Sequence, residues 1–287
     1  MSDSHLPPPI IQVLDLAKSF AAKAVLKGVS FQVASGELFA YLGPNGAGKT
    51  TTIRILTGLS RRDGGTLSLN GHDIASDPLG AKAQFGLVPQ QANLDGELTV
   101  AENLLIHGRL HRMPARAIAD RIATLLAYVE MGDRAQDQVN QLSGGLKRRL
   151  LIARALMHEP RILFMDEPTV GLDPAIRRRI WGLIKKIQAD GTTIFLTTHY
   201  IEEAEFMAQR VALLDEGRIV VVDTPANLMA QVGEWAVDSL SDNRLATRYF
   251  RSRGEAGEYA RGEAQGCTVR RVNLEDAFLS MTGRKIK

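Results

Sequence analysis

Short apolar runs alternate with longer amphipathic stretches along most of the chain, and glycine-containing turns separate them. Residues 10–16 and 29–33 read as strands, with Phe31 and Val33 alternating against Ser30 and Gln32 in the second. Leu38-Phe39-Ala40-Tyr41-Leu42 is apolar throughout, as in a short buried strand. The run from Gly65 closes at the turn pair Asn70-Gly71, and Phe85–Val88 is a further apolar run. From about residue 92 the texture becomes helical. Thr99 and Glu102 form a capping box, Pro114 suits the first position of a second helix ending near Gly132, and a third begins after Ser143 and stops by Pro160. Alternation then resumes. Arg161–Met165 is a strand, Asp173-Pro174 caps a helix reaching about Asp190, and Thr192–Thr197 is a β-branched strand. Residues 210–214 and 219–222 read as a hairpin across Asp215-Glu216-Gly217-Arg218. Beyond Pro225 the pattern thins to a helix start, a Gly- and charge-rich middle at 251–266 and a final helix at 275–281.

This order predicts an α/β fold with an inserted helical subdomain at about 92–160, inside one domain over residues 10–225. A disordered tail at 1–9 and a small accessory domain at 226–287 flank it. No repeat of roughly 20–50 residues is visible, so the chain carries one such unit.

Composition narrows the classes. The 287 residues suffice for one large domain or one domain with appendages. Lys+Arg number 35 against 32 Asp+Glu, a net charge of +3, which gives no case for nucleic-acid binding from charge. The single cysteine, Cys267, rules out an internal disulfide framework and suits a reducing compartment. No uninterrupted apolar run approaches the roughly 20 residues of a membrane span. The start is polar and then Pro-rich, unlike a signal peptide. A cytosolic chain that does not itself cross a bilayer is expected.

The chemistry centres on Gly43-Pro44-Asn45-Gly46-Ala47-Gly48-Lys49-Thr50, a match to the phosphate-binding G-x-x-x-x-G-K-[ST] loop. It follows the apolar strand and precedes Thr51–Thr57, which fits the first turns of a helix; strand, loop and helix are the context the motif needs. Bare glycines at 43, 46 and 48 let backbone N–H groups turn inward, and the helix start adds unpaired donors and its dipole. Lys49 can reach the β- and γ-phosphates and the Thr50 hydroxyl can join a Mg²⁺ shell. At the end of the strand before Pro168, Asp166 and Glu167 stand where ligands bind in open α/β sheets. There an aspartate can hold Mg²⁺ and a glutamate can face the attacking water. Ser143-Gly144-Gly145, on its own a plain Ser-Gly-Gly turn, would beside these motifs expose N–H groups and a hydroxyl at a helix start, a second anion site.

Taken in order, these stretches resemble the ATP-binding subunits of ABC transporters. The resemblance spans roughly residues 10–225: P-loop, Gln90 as the Q-loop glutamine, Leu142–Gly145 as signature, Asp166-Glu167 as the Walker B end, Gly171-Leu172-Asp173 as D-loop, and His199 as switch histidine. It implies a P-loop NTPase (RecA-like) core with an antiparallel β subdomain and an inserted helical one, binding ATP and Mg²⁺. Phe20, by itself an ordinary candidate for the core, would stack on adenine. His199 would contact the γ-phosphate, Gln90 would join Thr50 and Asp166 at the metal, and Glu167 would polarise water. Asp173, read alone a helix N-cap, would organise an ATP-dependent homodimer in which the signature of one copy faces the P-loop of the other. Lys147-Arg148-Arg149, the stretch 197–205 and the stretch 274–283 are similar to exporters whose ABC-2-type permease is a separate chain. That places the protein at the cytoplasmic face of the inner membrane, held there by the permease. Leu146 departs from the glutamine usual after Ser-Gly-Gly, leaving a polar contact to the partner's nucleotide in doubt. A soluble ABC ATPase acting on ribosomes or DNA is the rival; the tandem units, coiled-coil insertion or basic arm that would favour it are not seen. A small-molecule kinase would leave the signature unexplained.

Overall fold

The computed structural model describes residues 9–21, 23–241, 244–263 and 266–283. The expected tail therefore lies outside the described residues, except Pro9, which already belongs to a strand.

Strands β1 (Pro9–Phe20), β2 (Lys23–Ala34), β3 (Leu38–Leu42) and helix α1 (Lys49–Leu56) come first. Next are β4 (Gly64–Leu69), α2 (Pro78–Ala83) and β5 (Phe85–Val88). Helices α3 (Val100–Leu110), α4 (Ala115–Tyr128) and α5 (Gly144–Ala155) follow. Then come β6 (Ile162–Asp166), α6 (Pro174–Ala189), β7 (Thr193–Thr198), α7 (Ile201–Met207), β8 (Arg210–Asp215) and β9 (Arg218–Asp223). The chain closes with α8 (Pro225–Val232), β10 (Trp235–Ser241), β11 (Arg244–Phe250), α9 (Arg253–Gly262), β12 (Cys267–Arg271) and α10 (Leu274–Thr282).

The central sheet has the order β5-β6-β7-β3-β8-β9, parallel except for β9, which returns antiparallel on β8. Strands β3, β6 and β7 are buried at every position, as parallel strands covered on both faces must be. A second sheet, β2-β1-β4, is antiparallel. The two meet through aromatic rings: Phe31 on β2 lies 5.7 Å from Phe39 on β3 and 5.5 Å from Phe195 on β7. This is an α/β fold with an antiparallel β layer, the architecture the sequence implied.

The helices α3–α5 pack as one group over a cluster that includes Leu104, Ile118, Leu125, Leu150 and Met157. Thr99 and Glu102 form the expected capping box, with the Thr99 backbone N–H donating to Glu102 at 2.8 Å. Pro114 is the N-cap of α4 and not its first helical residue, and α4 stops at Tyr128, short of Gly132. Its ψ of 143° keeps Pro114 extended, and residues 132–134 tighten into a 3₁₀ turn.

The C-terminal segment holds more structure than its thin pattern suggests. Strands β11-β10-β12 form a small antiparallel sheet, backed by α9. Helices α8 and α10 instead pack together against the main sheet, where Leu228, Leu274, Ala277 and Phe278 are fully buried with Leu42 and Leu213. Among the described residues, no helix is long and apolar enough to cross a membrane.

Candidate active site

Strand β3 delivers the chain into Gly43–Gly48 before α1 begins at Lys49. The three glycines serve different needs. A Cβ on Gly43 would lie 2.3 Å from the Leu214 carbonyl oxygen on β8, so this residue is bare toward the neighbouring strand and not toward a ligand. A Cβ on Gly48 would meet Leu26 Cδ2 at 2.7 Å, and its φ of +114° is a second demand for glycine. Gly46 has open space around it and φ +81°, so it supplies backbone conformation alone.

Around this loop lies an open cleft of about 330 Å³, lined by Asn45, Gly46, Gly48, Lys49, Thr50 and Thr51, with Phe20, Gln90 and Glu167 facing them. Ala47 is buried and Pro44 half-buried; neither lines the cleft. Lys49 Nζ is buried and donates to the carbonyls of Gly43 (2.8 Å) and Pro44 (3.2 Å), while Glu167 Oε1 stands 3.2 Å away. Burial lowers the lysine pKa, and the carboxylates of Glu167 and Asp166 work against that.

Strands β6 and β7 bring in the carboxylates. Asp166, the last residue of β6, accepts from Thr197 Oγ1 at 2.6 Å and from Thr50 Oγ1 at 3.3 Å. Burial pushes its carboxyl up from the ordinary aspartate range, and the two hydroxyls oppose the rise. Glu167 has φ +47°, a left-handed conformation that costs a non-glycine residue on the order of 1–3 kcal/mol. Its backbone N–H is anchored to Thr197 O at 3.0 Å. Three side chains converge on its carboxylate: Lys49, Gln90 Nε2 at 3.2 Å, and His199 Nδ1 at 3.0 Å. The His199 contact is close enough for an ion pair but lacks hydrogen-bond alignment, which leaves that nitrogen without a bonded partner.

Phe20 ends β1 at the cleft rim, 51% exposed, with Lys18 Nζ 5.2 Å from its ring centre. Ser143 is the N-cap of α5, its Oγ accepting from the Leu146 N–H at 3.4 Å. Ser143 and Gly144 are exposed, Gly145 is buried against Ile176, and none of the three lines the cleft. Leu146 packs against the helical-layer core, so its side chain serves α5. Asp173 caps α6, accepting from the N–H groups of Ala175 and Ile176.

Three contributors escape a reading by motif. Arg148 is buried and donates to the carbonyls of Pro89 (2.7 Å) and Gln90 (2.9 Å), clamping the glutamine loop to α5. Thr197 holds both Asp166 and the Glu167 backbone. Glu203, fully buried on α7, accepts from Thr169 and Trp181. The basic run after the signature was a visible signal for Arg148; Thr197 looked like one more β-branched strand residue.

The family model for ABC transporters matches residues 26–170. The Nod factor export ATP-binding protein I of Paraburkholderia xenovorans is 39% identical, over 98% of this chain and the whole of its own. The chain belongs to the ABC transporter family. It is an ATP-binding subunit of that family and an ATPase. The linearmycin resistance ATP-binding protein of Bacillus subtilis is also 39% identical, over 78% of this chain and 72% of its own length. A dimeric, post-hydrolysis structure of an ATP-binding cassette with ADP and Pi superposes with a TM-score of 0.67 at 29% identity, covering 75% of this chain and 98% of that one. The export named in the Paraburkholderia relative favours transport over the ribosomal reading.

Proposed function

We propose that this subunit binds Mg-ATP at the β3–α1 loop and hydrolyses it at Glu167 within a head-to-tail pair of identical chains. That cycle would drive export through a separate permease, of the ABC-2 type, at the cytoplasmic face of the inner membrane. The observation that carries the reading is a separation: the exposed start of α5, Ser143-Gly144, lies off the cleft that holds Lys49 and Glu167. A helix start with free donors suits an anion, and a second copy is the simplest source of one. Export as the direction rests on the names of the relatives and on the similar stretches at 197–205 and 274–283.

Each side chain then has a task. Phe20 offers its exposed face to adenine, and the Gly46–Thr51 backbone cradles phosphates. Lys49 now spends its donors on loop carbonyls and Glu167; a bound γ-phosphate offers it a stronger partner. Freed from the lysine, Glu167 can orient water, with Gln90 and His199 already beside it. The hard oxygen donors of Thr50 and Asp166, with Gln90 nearby, fit Mg²⁺, and the raised carboxyl of Asp166 is what a cation would relieve. When bound, the ion neutralises charge on the β- and γ-oxygens. The γ-phosphate supplies the difference between paired and separated chains that a switch requires.

Glu167→Gln tests the assignment. It keeps shape while removing the carboxylate, so ATP should stay gripped and the paired state should accumulate. At about 100 times its dissociation constant, ATP favours the bound state by roughly 2.7 kcal/mol per site. Size-exclusion chromatography with Mg-ATP should show the variant as a dimer, and adding Ser143→Arg should return it to monomer. Wild-type turnover by Glu167→Gln would remove Glu167 as the base; a double variant that still pairs would refute the shared site.

A further inference from the structure

His107 lies on the last turn of α3 and His111, one turn on, is its C-cap, with its N–H donating to the His107 carbonyl at 3.1 Å, while His158 stands in the turn after α5. Each offers a ring nitrogen within 4.8 Å of the others. Nothing in the ATPase chemistry uses them. We propose that His107, His111 and His158 form a binding site for a late first-row divalent ion of the zinc type, with three imidazoles and a solvent ligand.

An i, i+4 histidine pair on a helix is a spacing that places two imidazoles on one ion. His158 Nε2 lies 3.0 Å from the Phe85 carbonyl, which makes it the donor nitrogen and leaves the lone pair on Nδ1. That Nδ1 is buried without a hydrogen-bond partner, an expensive arrangement if the three rings merely pack. A backbone carbonyl holding the far nitrogen is the usual support of a ligating histidine. Burial, foremost, lowers His107 to about 3 and His158 to about 4, and lowers His111 as well. All three are thus neutral at physiological pH, and an ion need not displace protons from them.

Two features set the affinity. Zn–N bonds of about 2.0–2.1 Å require ligand atoms roughly 3.3 Å apart, a distance inside the 4.8 Å within which the three ring nitrogens lie. The His111 and His158 rings are stacked at 3.7 Å and 8°, so one must turn to aim its lone pair. Arg154 and Arg121 add positive charge near His107 and His158. A reversible, micromolar site is expected, and not a permanent structural one. Filling it would tie α3 to the edge strand β5 through His158 and Phe85.

The test is titration of tag-free, nucleotide-free protein with Co²⁺, followed by visible d–d absorption and by calorimetry, then displacement with Zn²⁺. One ion per chain is expected. His107→Gln, His111→Gln and His158→Gln should each weaken it at least tenfold, while His72→Gln, whose ring pairs with Asp77, should not. Circular dichroism and retained ATP binding show that each variant is folded. X-ray absorption of the zinc-loaded wild type, which needs no variant, should count three imidazoles. No uptake by the wild type, uptake undiminished in any one of the three variants, or fewer than three imidazoles overturns the proposal.

Discussion

Glu203 is the side chain whose replacement discriminates most sharply. It is fully buried on α7, four residues past His199. Its Oε1 accepts from the Thr169 hydroxyl at 2.8 Å and the Trp181 indole N–H at 2.9 Å, while Oε2 makes no well-aligned bond. One carboxyl thereby joins the loop after Glu167, helix α6, and the helix that follows His199. Burial raises its pKa above the ordinary glutamate value, against the nearby Thr198 hydroxyl, the hydrogen bonds from Thr169 and Trp181 and the charge of Arg177. Glu203→Gln keeps an acceptor oxygen and the volume. Glu203→Ala strands two buried donors and opens a cavity, a combined loss of roughly 3–5 kcal/mol after the neighbouring side chains relax. At about 2–4 °C per kcal/mol for a large domain, the alanine variant should melt some 6–20 °C lower. The sign of the pH dependence follows from the raised pKa. The folded state holds the proton more tightly, so this contribution is complete below the unfolded value near ~4.3 and is lost as pH rises through the folded pKa. Glutamine has no such loss. Melting wild type, Glu203→Gln and Glu203→Ala at mildly acidic and mildly alkaline pH should show the glutamine variant gaining on wild type as pH rises. A glutamine variant that falls as far as alanine, or a gap independent of pH, would refute the reasoning.

Two substitutions test other parts. Phe20→Ala removes a half-exposed ring, so stability should change by less than about 0.5 kcal/mol. If Phe20 stacks on adenine, ATP affinity should fall about 5- to 150-fold, the range set by roughly 1–3 kcal/mol of stacking, and Phe20→Trp should retain it. Calorimetry with unchanged affinity for Phe20→Ala would end that assignment. Gly145→Ala puts a Cβ 2.7 Å from Ile176 Cγ2, an overpacking cost of about 1–3 kcal/mol in denaturant unfolding. Ile176→Ala in the same chain should recover part of it, and simple additivity of the two losses would contradict this contact.

The β3–loop–α1 unit was legible because several local signals coincide there: a wholly apolar strand, glycines, and a helix start. Strands β1 and β2 run longer than their alternation suggested, since register shifts at Val13/Leu16 and Lys18/Ser19 break the period of two. Helix α2 covers six residues, too few for a helical period, and rests on its Asp77 cap and Pro78. The β10–β12 sheet was hidden by its polarity: Arg270 pairs with Asp238 at 2.7 Å and Asp276 at 2.6 Å, placing charge where an apolar face was sought. In the site, motifs pointed to the residue types, but the meeting of Lys49, Gln90 and His199 on one carboxylate depends on β5, β6, β7 and β3 being neighbours. That order is set by long-range packing. Likewise, Gly43 looked like part of a phosphate cradle, and only the position of β8 reveals its steric duty.

Helices α8 and α10 close the face of the sheet directly behind Leu42, the residue before the phosphate loop. The Leu274 N–H is also held by Glu205 of α7 at 2.9 Å. A division of the chain at residue 225 therefore does not separate a catalytic module from an ornament. It cuts through one shared interior, and the last helix belongs to the foundations of the nucleotide-binding half. Sequence drift along this tail is thus constrained unevenly: the small sheet can vary as a surface does, while Leu274, Ala277 and Phe278 are bound to the same packing rules as the strands beneath them.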